Sequence, residues 1–183
     1  MSSLRSRRSP AFAEHAEALT AALVEVAENS FFAFAVPSDQ EQFADLVRHP
    51  VSLDPDQPPV PARWLVTTVS FAGAFAGHLE VVTGEALSRQ LLAAFCGLDP
   101  VEAVQPSQVT DSAGEFANQV CGTWLTRACQ RRRFELQFAR VEWQAAGWMP
   151  LDPPPPGEHD GDVLVCLNDS PVRLRLHFDA ATE

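Results

Sequence analysis

The sequence has few basic residues and no long apolar run. Its 13 basic residues, all of them arginine, stand against 24 acidic ones, which gives a net charge of −11. Outside Arg5, Arg7 and Arg8 near the N-terminus and the run at 131–133 there is no basic cluster, so a nucleic-acid partner is poorly supported. No window approaches the roughly 18 consecutive apolar residues of a transmembrane helix, so we expect no membrane span.

The cysteines and histidines show no metal-binding or redox pattern. No C-x-x-C pair, H-x-x-x-H or H-E-x-x-H is present, so a zinc site is not expected. A G-x-S-x-G nucleophile motif is also absent. We interpret all four cysteines as small buried hydrophobes in a reducing cytoplasm: Cys96, Cys121, Cys129 and Cys166.

The length of 183 residues suits one domain with a single core. The first ten residues, MSSLRSRRSP, carry positive charge, but Glu14 and Glu17 interrupt the apolar run that a signal peptide would need. We therefore expect a cytoplasmic protein with a flexible leader at 1–9 and one domain at 10–183. Proline-rich segments at 48–62 and 150–161 predict loops at the surface.

Helical and strand patterns alternate along the rest of the chain. Apolar residues at the helical period predict helices over 10–29, 86–95 and about 108–130. β-rich or alternating runs predict strands over 65–71, 78–83 and 134–142, and a closing hairpin that turns at 168–171. This order predicts an α+β fold, with a largely antiparallel sheet and long helices packed on it.

The third predicted helix carries DSAGEFANQVCGTWL, residues 111–125. At roughly 100° per residue, its two sides separate into a polar stripe and an apolar face. The polar stripe, within roughly 60°, consists of Asp111, Glu115, Asn118 and Gly122. The apolar face is predicted to pack on the core and consists of Ala113, Phe116, Ala117, Val120, Trp124 and Ala128.

The polar stripe has chemistry that suits a partner. The carboxylate of Glu115 and the amide of Asn118 lie one turn apart, and an amide offers both a donor and an acceptor with which to orient a water molecule. Glycine inside a helix costs about 1 kcal/mol relative to alanine. Gly122 is therefore a local cost, which close approach of a partner would explain.

A structural alternative explains the same residues. Ser112 and Glu115 fit S-x-x-E, a capping box that would satisfy the start of a helix. Asp111 would then favour the positive end of the helix dipole, and Asn118 would be an ordinary surface asparagine. The helical pattern by itself leaves both interpretations open.

The stretch resembles the motif of the CheC/CheX/FliY family of chemotaxis phosphatases, which runs D or S, three residues, E, two residues, N. Here the motif stands as Asp111, Glu115 and Asn118, and Gly122 follows as it often does in that family. The upstream segment VSFAGAFAGHLEVVTGEALSRQLLAAFCG is similar to the family's strand, glycine turn, strand and helix. The resemblance spans most of residues 11–179 and implies a CheC-like fold.

The resemblance implies hydrolysis of the aspartyl phosphate of a CheY-like response regulator. Asn118 would orient the attacking water, and Glu115 would pair with a lysine of the receiver. Asp111 and Gly122 would belong to the partner-binding surface. No cofactor is expected on this chain, because the divalent metal, Mg²⁺, would be held by the receiver.

Two departures from the family pattern bear on this expectation. The first helix has Glu25 and Glu28 but no E-x-x-N, which favours a single-site, CheX-like member. Some members also carry a proline 23 residues after the asparagine, where this chain has Val141.

Related single-site proteins can be dimeric, so a homodimer is a further candidate assembly. The alternative function is a non-catalytic module that docks a receiver or a flagellar-switch component through the same helix face.

Overall fold

The computed structural model describes residues 10–37, 63–98, 104–128, 133–144, 149 and 161–179. These residues form three helices, α1 (Pro10–Ser30), α2 (Glu85–Cys96) and α3 (Pro106–Ala128). They also form seven strands, β1 (Ala35–Pro37), β2 (Trp64–Gly73), β3 (Gly77–Gly84), β4 (Phe134–Leu136), β5 (Arg140–Gln144), β6 (Gly161–Leu167) and β7 (Ser170–Phe178). The predicted leader and both predicted proline-rich loops lie outside the described residues, except that Gly161 already belongs to β6.

The seven strands form one sheet in the order β1-β6-β7-β3-β2, with β4 and β5 following one another along the remaining side of β2. All pairings between these strands are antiparallel. The predicted α+β architecture is confirmed. None of the helices in the described ranges is long and apolar enough to cross a membrane.

The main core lies between one face of the sheet and the helices. Every second residue of a strand points to this side, as the two-residue period of a strand requires, and examples are Val69, Leu79 and Leu174. They pack with the apolar faces of α1 and α3, where Trp124 is fully buried. The predicted core face of α3 is therefore confirmed except at Ala128, which is exposed because the last turn of α3, residues 126–128, is exposed throughout.

A two-residue turn connects β6 to β7. Asn168 and Asp169 have φ angles of 46° and 61°, a left-handed conformation that short polar residues tolerate and that hairpin turns of this length require. The Asn168 side chain also accepts a hydrogen bond from the backbone N–H of Phe34, at 3.0 Å. This contact holds the residue that precedes β1 against the hairpin. The predicted turn is thus confirmed, and Pro171 lies in β7.

The edge of the sheet beyond β2 differs from the prediction. Residues 134–142 were expected to form one strand, but β4 and β5 are separate, with a β-bulge between them. Phe71 pairs with Leu136 and Thr68 pairs with Arg140, so three edge residues stand opposite two residues of β2. Gln137 N–H still donates a hydrogen bond to Ser70 O at 2.9 Å, so Gln137 keeps its place opposite Ser70. Phe138 and Ala139 then stand together opposite Val69, which makes this pair the bulge.

Two glycines of the β2–β3 hairpin allow close approach of neighbouring backbone. A Cβ built on Gly73 would lie 2.3 Å from the carbonyl oxygen of Arg133, and one on Gly77 would lie 2.1 Å from that of His177. Both distances are far inside van der Waals contact. The two glycines thus let the backbone next to β4 and the backbone of β7 approach the β2–β3 hairpin.

We expect Gly77→Ala to lower the free energy of unfolding by about 1–3 kcal/mol, because the added methyl group must displace backbone rather than a flexible side chain. Gly84→Ala is the matched control, since among the described residues its Cβ would meet only the Trp64 ring, at an ordinary 3.7 Å. Urea denaturation of the two variants measures the difference. Equal stabilities would show that the β3–β7 pair relaxes around the extra carbon without cost.

The cysteines differ in exposure. Cys121 and Cys166 are buried, as predicted, but Cys96 is exposed because it is the last residue of α2, where the helix leaves the core. Burial raises the pKa of the Cys121 thiol to about 12. Cys129 lies outside the described residues.

Thiol labelling of the native protein should therefore modify Cys96 and spare Cys121, since the thiolate is the reactive form. Peptide mapping by mass spectrometry after brief alkylation at pH 8, with and without denaturant, measures this. Labelling of Cys121 at the same rate in both conditions would contradict the packing of α3.

Candidate functional site

Helix α3 begins six residues before Ser112, so the capping-box interpretation of Ser112 and Glu115 is wrong. The helix starts at Pro106, a residue suited to a first helical position because it has no N–H to satisfy. The backbone N–H of Gln105 donates to Oε1 of Gln108 at 2.8 Å. This bond is the N-terminal cap of α3, in place of the Ser112 and Glu115 cap that the structural alternative proposed.

Ser112 has a different environment from the one predicted. It is buried in the middle of α3, and its hydroxyl has no hydrogen-bond partner in the described part of the chain. It lines a small internal cavity, together with hydroxyls of the sheet and of α2 that belong to Thr67, Thr83 and Ser88. Ser112 thus faces the interior, while Asp111 beside it is exposed.

The predicted polar stripe lies on the outward face of α3. Asp111 and Glu115 are exposed, and Asn118 and Gly122 are half-buried. Glu115 Oε1 accepts a hydrogen bond from Nε2 of Gln119 at 2.8 Å, so its carboxylate is oriented by a neighbour one turn further along the helix. The structure therefore brings together all four predicted residues and adds Gln119, which an i, i+4 search from Glu115 would have found.

The amide of Asn118 is not committed to the fold through its oxygen. Its Oδ1 atom is buried and accepts no hydrogen bond from any described group. Leaving a buried acceptor unpaired costs about 1–3 kcal/mol. Among the described residues, no hydrogen bond to Oδ1 opposes rotation of this side chain toward solvent. Asn118 can therefore offer this acceptor to a ligand or a water without breaking a hydrogen bond of Oδ1 to the described residues.

The β4–β5 edge runs beside this face of α3. A Cβ on Gly114 would lie 3.4 Å from the Cβ of Ala139, and one on Gly122 would lie 3.7 Å from Cδ1 of Leu136. Asn118 is halfway between these glycines, four residues from each. The bulged part of the edge therefore lies next to Asn118.

Two positions discussed from sequence have simple structural roles. Val141, where some family members have a proline, lies in β5 and pairs with Thr67 of β2. Its side chain packs against a small apolar cluster that includes Val109 of α3. Glu25 of α1 forms an ion pair with Arg127 near the end of α3. The carboxylate on the first helix is thus engaged in joining the two helices.

The described residues contain no group of three or more His, Cys, Asp or Glu side chains that could hold a metal ion. No family model and no curated protein sequence matches the chain.

Solved structures of chemotaxis proteins do match it. CheX from Vibrio vulnificus superposes with a TM-score of 0.60 and 16% identity, over 93% of this chain and 100% of that one. The chain has the CheX-type fold. A CheX from Borrelia burgdorferi, solved as a CheX–CheY–BeF3–Mg²⁺ complex, matches with a TM-score of 0.57 and 9% identity, over 91% of this chain and 98% of that one.

The same fold occurs in FliY from Thermotoga maritima, which matches with a TM-score of 0.57 and 10% identity, over 92% of this chain and 91% of that one. The fold expected from the motif of α3 and the glycine hairpin is therefore confirmed. Within the CheX-type fold of this chain, the outward face of α3 carries Glu115 and Asn118 one turn apart.

Proposed function

We propose that this protein is a cytoplasmic phosphatase of the CheC/CheX/FliY family that hydrolyses the aspartyl phosphate of a CheY-like response regulator in chemotaxis or a related two-component pathway. The observation that carries the proposal is the placement of Glu115 and Asn118 one turn apart on the outward face of α3 in a CheX-type fold. The complex of a related CheX with CheY supports a receiver domain as the partner.

The reaction places few chemical demands on the enzyme. Water attacks the phosphorus, the bond from phosphorus to the aspartyl oxygen breaks, and the products are a free carboxylate and inorganic phosphate. Phosphoryl transfer of this kind depends mainly on positioning and charge neutralisation. An amide that holds the attacking water in line supplies the positioning, and Asn118 Oδ1, which accepts no hydrogen bond from the described residues, is available for that role.

Glu115 supplies the docking contact. Its carboxylate is exposed, is oriented by Gln119 and can pair with a lysine of the receiver beside the phosphoryl group. Asp111 adds negative charge on the same stripe. Gly122 has no side chain, so it does not hinder the approach of a partner to Asn118. The divalent metal, Mg²⁺, belongs to the receiver in this proposal, so this chain contributes no metal ligand to the reaction.

The proposal is for a single site per chain. The equivalent region of α1 has no E-x-x-N, and its Glu25 pairs with Arg127. A homodimer would present two such sites. Size-exclusion chromatography with light scattering measures the assembly directly.

A non-catalytic docking module is the second candidate, because the same face would bind a receiver or a flagellar-switch component without hydrolysis. Receiver domains from the same genome, phosphorylated with a small phosphodonor, separate the two functions. We expect one of them to lose its phosphate faster with this protein than alone. Binding without acceleration would instead establish the docking module.

A further inference from the structure

Phe138 is an aromatic side chain with almost no contact to its own protein. Its side chain is 99% exposed, whereas Phe134, four residues earlier on the same edge, packs against the main core. Within the described ranges the Phe138 ring contacts no other aromatic ring, whereas the Phe134 ring makes edge-to-face contacts with Phe71 and Phe75. An aromatic group buries about 150–250 Å² when it is covered, so full exposure leaves a large apolar area in water.

The β-bulge is the reason for this exposure. Two residues, Phe138 and Ala139, share the position opposite Val69, and only Ala139 packs against the core. A bulge re-aims side chains at a sheet edge. The extra residue therefore interrupts the regular alternation of side chains along the edge and leaves the phenyl ring of Phe138 in solvent.

The bulge is fixed beside Asn118 from both sides. Ala139 lies against Gly114 and Leu136 lies against Gly122, and Asn118 is midway between these two glycines on α3. Leu136 is itself 41% exposed. Leu136 and Phe138, which we call the bulge patch, thus form an apolar flank to the polar stripe.

We propose that the bulge patch is a docking contact for the receiver domain, with Phe138 as its anchor. This inference rests on the proposed function, because it takes the occupant to be the molecule whose phosphoryl group reaches Asn118. Such a partner must place its own surface within a few ångströms of α3 between Gly114 and Gly122. It then covers the bulge patch as well, because the edge strand stands directly beside that part of the helix.

The chemistry of the two surfaces matches this occupant. Asp111 and Glu115 face the cationic and metal-bearing side of a receiver's phosphorylation site, and the bulge patch supplies the apolar contact that a charged stripe lacks. Interfaces draw most of their binding energy from a few aromatic anchors that lie next to polar contacts. A second copy of this chain fits less well, because it would bring the same acidic stripe against Glu115.

The test is binding of receiver domains to wild-type protein and to Phe138→Ala. Each receiver domain encoded in the same genome is activated with beryllium fluoride and Mg²⁺, and its affinity is measured by calorimetry. We expect the variant to bind the cognate receiver about fivefold or more weakly. With the phosphorylated receiver we expect KM to rise by the same factor and kcat at saturation to stay unchanged, because the contact is made equally in the ground and transition states.

The matched control is Phe34→Ala. Phe34 is 78% exposed and precedes β1, at the opposite edge of the sheet, so its loss removes an exposed phenyl ring far from α3. Both variants should keep the wild-type melting temperature, since neither ring is packed. A benzoyl-phenylalanine photocrosslinker at position 138 should couple to the receiver, and one at position 34 should not.

The outcomes separate the two proposals. Equal affinity of wild type and Phe138→Ala, with no crosslink from position 138, overturns the docking contact while phosphatase activity stands. Weaker binding by the variant, with no hydrolysis by wild type, supports the docking contact and overturns the phosphatase. Failure of wild type to bind any activated receiver overturns both.

Discussion

Asn118→Ala is expected to reduce the acceleration of receiver dephosphorylation by roughly 100-fold or more, with little change in affinity for the receiver. Losing one preorganised polar group at a reacting centre typically costs about that much in rate. The side chain acts on the attacking water and not on the docking surfaces, so kcat should fall and KM should stay near its wild-type value. Single-turnover decay of a phosphorylated receiver at saturating protein measures the effect.

Stability distinguishes this role from a structural one. Asn118 Oδ1 is buried and accepts no hydrogen bond from the described residues, so its removal breaks no hydrogen bond to them through that atom. Alanine is also the better helix former, by up to about 0.7 kcal/mol. We therefore expect Asn118→Ala to melt at the same temperature as wild type or higher. A lower melting temperature accompanied by unchanged kcat would make Asn118 a packing residue.

Asn29→Ala controls for the loss of an asparagine from the surface. Asn29 is exposed near the end of α1 and lies outside the polar stripe. Its variant should dephosphorylate the receiver like wild type. The isosteric Asn118→Asp should be at least as inactive as Asn118→Ala, because a carboxylate lacks the amide's donors and repels the phosphoryl group.

Glu115→Gln should raise KM for the phosphorylated receiver by between roughly tenfold and 100-fold, the range that close interfacial charge pairs support. Glutamine keeps an oxygen that can accept the bond from Gln119, so the local geometry is retained and only the charge is lost. The remaining binding should also be less sensitive to salt, because one attractive charge pair has gone. Titrations at low and physiological ionic strength measure both effects.

Glu28→Gln is the charge-matched control, since Glu28 is exposed on α1 and its loss changes the net charge by the same amount. It should leave KM and its salt dependence unchanged. If both variants weakened binding equally, overall charge and not a specific ion pair would be attracting the receiver.

The polar stripe of α3 could be predicted because a helix repeats its faces at a fixed angle. Asp111 and Glu115 are exposed and Trp124 is fully buried, as that angle requires. The periodicity does not show where the helix begins, or how far it continues past the residues that pack on the core. The exposure of Ala128 was therefore missed, and the start of the helix at Pro106 overturned the alternative in which Ser112 caps the helix.

The features that surround Asn118 could not be predicted, because they depend on contacts between segments far apart in sequence. An alternating run shows that a strand is present, but a single extra residue becomes a bulge only through its pairing with β2. The exposure of Phe138 follows from that pairing. Likewise, the close approach at Gly77 involves the backbone of His177, 100 residues later in the chain.

The bulge also affects how the protein behaves at high concentration. A regular edge strand offers a row of unpaired N–H and C=O groups that can recruit an identical strand from another molecule, the first step of many aggregates. Here the β4–β5 edge loses its register at Phe138, and the exposed charges of Glu135, Arg140 and Glu142 flank the break. The same extra residue that exposes an aromatic ring therefore protects this side of the sheet from self-association into fibrils.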